Sequence, residues 1–248
     1  MRTVIMLLAV TALLLWWDLR LKALQAVCRP AARRHLDRVV SKMAHSLLML
    51  ARHYGGLTVD LDQRLVTDVP SPTLICANHQ SVADIVVLMD ALRAHRLRFV
   101  AKKELARGFP AVSEVLRIQR HALINRRGDY RKGAKELRRI GRETRQGASP
   151  VVFPEGTRSR TGEVHEFRAG GIRTILGEAT VPITAVAVDG GYRFASFADI
   201  TTGLSSIRYR ARLVGVFHHD GTKQGILRAI EQAESAVRAQ IDRWRATA

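Results

Sequence analysis

The stretch Thr73-Leu74-Ile75-Cys76-Ala77-Asn78-His79-Gln80-Ser81-Val82-Ala83-Asp84, running on into the apolar segment Ile85 to Leu92, decides the fold. A short β-forming run empties into a polar cluster and then into a helical run, which is the order of a βα unit with its polar residues at the strand's carboxyl end. Open α/β sheets place their ligand crevices at such ends. A second unit has the same form: Val151-Val152-Phe153 leads into Pro154-Glu155-Gly156-Thr157-Arg158-Ser159-Arg160.

Working outward, strands are expected at Leu57 to Asp62, Thr73 to Ala77, Leu97 to Ala101, Ala122 to Asn125, Val151 to Phe153, Ile183 to Asp189 and Ile207 to Phe217. Helices are expected at Ser81 to Arg93, Glu104 to Leu116, Tyr130 to Arg145, Gly171 to Glu178 and Gly225 to Arg243. The alternation implies an α/β fold with a single central, mostly parallel sheet flanked by helices. No internal repeat or dividing linker is visible, so residues 57–248 are read as one catalytic domain and residues 1–56 as N-terminal membrane-anchoring helices.

His79 stands beside the start of a helix, with Asp84 one turn into it. Such a carboxylate can hold one imidazole nitrogen, fix the tautomer and stabilise the imidazolium, while the other nitrogen faces a substrate. The same residues also fit a structural reading, in which Asn78 or Ser81 caps the helix and Asp84 favours its N-terminal dipole. In the second turn, Gly156 permits positive φ or close backbone approach, and Arg158 offers forked donors to a phosphate. Glu155 is placed to orient Arg158 or a substrate hydroxyl.

Forty Lys and Arg against 22 Asp and Glu give a formal charge of +18, which draws the protein to polyanions: nucleic acid, an anionic membrane surface or an acidic carrier. With 47% hydrophobic and 25% charged residues the chain has a globular composition, without the bias of disorder. Cys28 and Cys76 form no disulfide framework and fit a reducing setting. The helical stretch Tyr130 to Arg145 belongs to a basic run that starts at Arg126 and is opposed only by Asp129, Glu136 and Glu143; it reads either as a solvated face carrying pairs such as Glu136 with Arg139 or as a docking face.

Thr3 to Trp17 is a 15-residue run without charge, ending in Trp16 and Trp17 and followed by Asp18, Arg20 and Lys22. At about 1.5 Å per residue that run reaches about 22 Å, short of a hydrocarbon core of roughly 30 Å, so insertion into one leaflet is preferred to a full span. A lone Arg2 and the lack of a small-x-small site before Asp18 argue against a cleaved signal peptide. Val39 to His53 is amphipathic and fits an interfacial helix or one packed on the domain.

Asn78, His79 and Asp84 match an Asn-His-x4-Asp motif, and Phe153 to Arg158 reads Phe-Pro-Glu-Gly-Thr-Arg. Together these stretches resemble the glycerolipid acyltransferase family that includes the 1-acylglycerol-3-phosphate (lysophosphatidic acid) acyltransferases. The likeness covers roughly Leu57 to Asp189. Lys102-Lys103-Glu104-Leu105 and Val181-Pro182-Ile183 resemble two further family regions. The resemblance implies His79 as general base on the acceptor hydroxyl, Asp84 as its orienting partner, and direct attack on an acyl thioester without an acyl-enzyme. It implies that Lys103, Arg126 and Arg158 hold the acceptor's phosphate, with Asn78, Glu155, Gly156 and Thr157 counted among the substrate-binding residues. The expected partners are a lysophospholipid acceptor, an acyl-CoA or acyl carrier protein donor and an anionic membrane surface, with no cofactor, no metal and no nucleic acid. The expected location is the inner membrane, catalytic domain facing the cytoplasm. Around Arg126 the sequence departs from the family pattern: Leu123 and Asn125 replace the usual aromatic and Asp on either side of the aliphatic Ile124, and Arg120 stands where Gly is usual. The acceptor is therefore open between lysophosphatidic acid and another lyso-lipid, such as a lyso-aminolipid.

Other classes fit less well. A serine hydrolase using Ser81 lacks a Gly-x-Ser-x-Gly elbow. A metal at His218-His219-Asp220 lacks a third ligand at metal spacing, because adjacent strand residues point to opposite faces. A basic nucleic-acid-binding protein would explain the charge but not the paired motifs. His121 has no sequence-adjacent partner and is read as a loop residue rather than a catalyst.

Overall fold

The computed structural model describes residues 1–125, 128, 130–194, 199 and 204–247. Two long helices come first, α1 (Arg2–Val27) and α2 (Arg29–His53). There follow β1 (Thr58–Leu61), α3 (Arg64–Thr67), β2 (Leu74–Ala77), α4 (Ala83–Ala91) and β3 (Arg96–Lys102). A short 3₁₀ turn (Lys103–Ala106) precedes α5 (Val112–Ile118), β4 (Ala122–Ile124), α6 (Tyr130–Thr144) and β5 (Ala148–Val152). The chain continues with α7 (Ala169–Leu176), β6 (Ile183–Asp189), a 3₁₀ turn (Gly191–Phe194), β7 (Arg208–Phe217) and α8 (Lys223–Ala246).

All seven expected strands are present in one sheet, ordered β1-β7-β6-β2-β5-β3-β4. From β6 to β4 the strands are parallel; β7 runs antiparallel to β6, and β1 is parallel to β7. Every residue of β2 and β6 is buried, as central parallel strands covered on both faces require. Ile75, Ala77, Val186 and Val188 pack with Val87 and Leu88 of α4, whereas Leu74, Cys76, Ala185 and Ala187 pack with α7 and α8. In the β2–β5 ladder Cys76 lies opposite Val152. The segments starting at Asn78 and Phe153 therefore leave neighbouring strands at the same edge.

Two elements differ from expectation. The helix expected over Glu104 to Leu116 is broken, because Gly108 adopts a φ of 82° and Ala111 one of 58° around Pro110. Proline cannot supply the backbone donor of a continuing helix. The helix expected over Thr3 to Trp17 instead has 26 residues, about 39 Å at 1.5 Å per residue. Asp18, Arg20 and Lys22 end the uncharged run but not the helix, since an Asp18–Lys22 ion pair at 2.7 Å sits comfortably at i,i+4. By length and composition α1 could cross a membrane. Met6, Trp17 and Leu21 are buried against the domain, while Val4, Leu8, Leu15, Trp16 and Leu19 are exposed. Asp18 also accepts a hydrogen bond from the Ala111 N–H at 2.9 Å. Of the two readings for α2, packing on the domain is the one observed: Ala32, Leu36, Met43, Ala44 and Leu48 are buried.

Arg98 of β3 is fully buried and holds the layers together. It donates to both carboxylate oxygens of Asp37 on α2 (3.1 and 3.2 Å) and to Glu143 on α6 (3.3 Å). A buried cation with several charge-assisted partners avoids the desolvation cost of an unpaired one. On α6, Arg139 pairs with Glu136 at 2.7 Å, the pairing expected for a solvated face, and Arg142 and Arg145 reach Glu178.

His121 lies in the connection between α5 and β4, as expected of a loop residue, but it is buried. Its Nδ1 accepts the Phe99 N–H at 2.8 Å, and its Nε2 lies 3.1 Å from Gln119 Oε1, so the neutral tautomer carries its proton on Nε2. Burial, with Arg98, Arg139 and Arg33 nearby, lowers its pKa to about 3. Unfolded, the ring titrates near 6.5. Stability is thus complete above about pH 6.5 and is lost as pH falls toward 3, where the unfolded chain binds a proton that the folded one refuses. Urea unfolding at pH 7 and 5 should show wild type losing more stability on acidification than His121→Gln. Equal losses would show that this ring does not drive acid lability.

Candidate active site

Asp84, in the first turn of α4, is fully buried with its carboxylate saturated. Oδ2 lies 2.7 Å from His79 Nδ1 and accepts the N–H groups of Gln80 (2.6 Å) and Ser81 (2.9 Å). Oδ1 accepts the Tyr209 hydroxyl at 2.7 Å. Four donors offset the cost of burying the charge. Of the two residues expected to cap the helix, Ser81 does reach its first donor, its Oγ accepting the Ala83 N–H at 3.1 Å, whereas the Asn78 amide is used elsewhere.

An ionised carboxylate only accepts, so the proton of a neutral His79 is assigned to Nδ1. Nε2 then carries the lone pair, and among the described residues it has no hydrogen-bond partner. The side chain of His79 keeps 14% exposure, and its ring stacks on Phe153 with centroids 4.0 Å apart. A ring held by a carboxylate at one nitrogen and an aromatic face on its side presents its second nitrogen in a fixed direction. Such an arrangement can take a proton from a hydroxyl placed at Nε2.

The second turn is joined to the first through the backbone. Glu155 is buried; its Oε1 accepts the His79 N–H at 2.6 Å and its Oε2 the His165 N–H at 2.8 Å. The Ser159 N–H donates to the His79 carbonyl at 2.7 Å. Burial raises Glu155 to a pKa of about 7, despite the two backbone donors that favour its charged form. Gly156 has a φ of 71°, the left-handed conformation in which glycine is not strained. Thr157 and Arg158 are exposed on the same turn.

The other expected residues are distributed unevenly. Asn78 is buried, and its side-chain amide is spent on Val188, donating to the carbonyl and accepting from the N–H, both at 2.8 Å. It locks the end of β2 to β6. Lys103 is exposed in the 3₁₀ turn after β3. Arg126 lies outside the described residues. Both ring nitrogens of His219 are already used: Nε2 donates to the carbonyl of Val181, in the segment before β6, at 2.9 Å and Nδ1 accepts the Gly221 N–H. Tyr209, Phe153 as a stacking partner and Glu155 as a backbone acceptor were not expected. No local pattern announces a contact across 125 residues of chain such as Tyr209 to Asp84.

The site can be set beside known proteins. Residues 60–189 match the family model described as Acyltransferase. A 1-acyl-sn-glycerol-3-phosphate acyltransferase from Borreliella burgdorferi is 33% identical over 116 residues, 46% of this chain and 45% of that protein. A lyso-ornithine lipid O-acyltransferase from Rhizobium meliloti is 32% identical over 155 residues, 62% of this chain and 44% of that protein. The chain thus matches less than half the length of these relatives. The crystal structure of the 1-acyl-sn-glycerophosphate (LPA) acyltransferase PlsC from Thermotoga maritima superposes with a TM-score of 0.72 at 18% identity, covering 99% of this chain and 95% of that one, a likeness of fold. The family match spans just over half of the sequence and contains both turns that meet at His79, and on that ground the chain belongs to the Acyltransferase family.

Proposed function

We propose that the protein transfers a fatty acyl group from an acyl thioester to the hydroxyl of a lysophospholipid, converting 1-acyl-sn-glycerol 3-phosphate to phosphatidic acid. The observation that carries this reading is the His79 ring, held at Nδ1 by Asp84 at 2.7 Å with Nε2 available to a substrate. Nε2 takes the acceptor's proton as its oxygen bonds to the thioester carbonyl carbon. The C–S bond then breaks, and the imidazolium returns the proton to the departing thiolate. Acyl-CoA and acyl carrier protein both supply such a thioester.

Arg158 stands on a turn hydrogen-bonded to His79 through Ser159, a placement that suits a phosphate close to the reacting hydroxyl; Lys103 and Arg126 are assigned the same role from the resemblance. Arg158→Ala should raise the KM for lysophosphatidic acid by about 10-fold or more while moving that for the thioester less than about twofold. Equal changes for both substrates would remove the assignment.

A lyso-ornithine lipid acceptor is the second reading, favoured by the longer match to the Rhizobium meliloti protein. Purified enzyme offered lysophosphatidic acid, glycerol 3-phosphate, other lysophospholipids and a lyso-ornithine lipid, with each donor, separates the two. Turnover of the ornithine lipid in preference to lysophosphatidic acid would replace the first reading with the second.

The N-terminal residues 1–56 are assigned to membrane attachment, at the inner membrane with the catalytic domain on the cytoplasmic side. Burial of Met6, Trp17 and Leu21 along one side of α1 supports a helix lying along the domain and entering one leaflet by its exposed side. Vesicles of anionic phospholipid should pellet the protein in a salt-dependent manner; preference for duplex DNA over such vesicles would contradict the assignment.

A further inference from the structure

We infer that Tyr209 is a positioning residue for the acyl-transfer reaction, acting on His79 through Asp84; this rests on the base role proposed for His79. Tyr209 lies in β7, beyond the matched family region, paired with Val59 of β1. It is fully buried and donates its hydroxyl to Asp84 Oδ1 at 2.7 Å. The opposite oxygen, Oδ2, serves His79, Gln80 and Ser81. The carboxylate is thus shared out: three donors hold the edge that faces the ring, and Tyr209 alone among the described residues hydrogen-bonds the far edge. A rigid backbone closes over that far edge, because a Cβ on Gly191 would lie 3.1 Å from Oδ1 and 2.9 Å from Ser81 Oγ.

Tyr209 has two consequences for the ring. It holds the carboxylate plane, so that Oδ2 meets Nδ1 in line. It also draws negative charge toward Oδ1, which moderates how strongly Asp84 stabilises the imidazolium. Burial and the adjacent Asp84 raise the Tyr209 phenol well above its ordinary value, so it remains a donor throughout the working pH range. Among the described residues, the other ionisable groups facing this cluster are Asp189 at the end of β6, which accepts from Gln80 at 3.3 Å, and Glu155 from the turn after β5. Both are present in wild type and variant alike, so a difference between the two profiles reports the missing hydroxyl.

The experiment measures kcat against pH for wild type, Tyr209→Phe, Asp84→Asn and the double variant, with His79→Gln alongside. Tyr209→Phe is expected to lower kcat roughly 10-fold, because the loss of the fixed carboxylate plane that aims the ring outweighs the firmer hold on the imidazolium, with both KM values within about twofold. Its acid limb should move to higher pH, because an Asp84 relieved of the phenol holds the imidazolium more firmly. In the double variant the loss should equal that of Asp84→Asn alone, since the hydroxyl acts only through the carboxylate. If Tyr209→Phe does not fold, 3-fluorotyrosine at position 209 keeps the shape, donates more strongly and should move the acid limb to lower pH. Losses that multiply in the double variant, or an acid limb unmoved by either change at 209, would overturn the inference while leaving the base role of His79 intact. Turnover by His79→Gln close to wild type would instead remove the reading on which it rests.

Discussion

His79→Ala should lower kcat by about 10³-fold or more and leave a folded protein. Positioned general-base catalysis contributes roughly 10² to 10⁴-fold, and among the described residues no second imidazole stands beside Asp84 to substitute. The variant should fold because Asp84 keeps three of its four donors, the Gln80 and Ser81 N–H groups and the Tyr209 hydroxyl. The bonds that join the two turns also survive, since Glu155 and Ser159 bind the backbone of residue 79 and not its ring. The measurement is steady-state transfer to lysophosphatidic acid beside a thermal unfolding scan. Turnover within about tenfold of wild type, at unchanged melting temperature, would show that the acceptor loses its proton elsewhere.

Asp84→Asn is the more discriminating change, because it keeps shape and removes charge. With its amide oxygen in the position of Oδ2, the new side chain still accepts from Gln80, Ser81 and His79, and its NH₂ meets the oxygen of Tyr209. What it no longer does is stabilise the imidazolium that forms as the acceptor's proton is taken. In the serine protease triad the equivalent change costs about 10⁴-fold in kcat, and a loss of about 10² to 10⁴-fold is expected here, with both KM values nearly unchanged. A kcat within about threefold of wild type would show that the carboxylate serves the fold and not the reaction.

The strands were legible because each is a short β-forming run bounded by turn residues, and the two motif turns because each follows such a run directly. Of what the sequence left unread, one break had a local signal and the rest depended on other parts of the chain. The run from Glu104 to Leu116 has helical character, yet Gly108 and Pro110 divide it, and Asp18 of α1 then satisfies the N–H of the strained Ala111. The uncharged stretch ending at Trp17 marked a change of surroundings and not a helix end, so α1 came out longer than expected. Within the site, His79 and Asp84 are five residues apart and share a turn, whereas Glu155 meets His79 through a backbone N–H that no side-chain pattern encodes. The resemblance counts Asn78 among the substrate-binding residues, whereas its amide joins Val188 to the end of β2, a contact that no local pattern encodes.

Because β7 is inserted between β1 and β6, the stretch matched by the family is not a portable module. Excising residues 60–189 would remove β7 and α8, bare the flank of the buried β6, and deprive β1 of the neighbour it is paired with. A chimera intended to swap acceptor preference should therefore exchange everything from Leu57 to the end of α8, keeping this late strand with the early helix it braces.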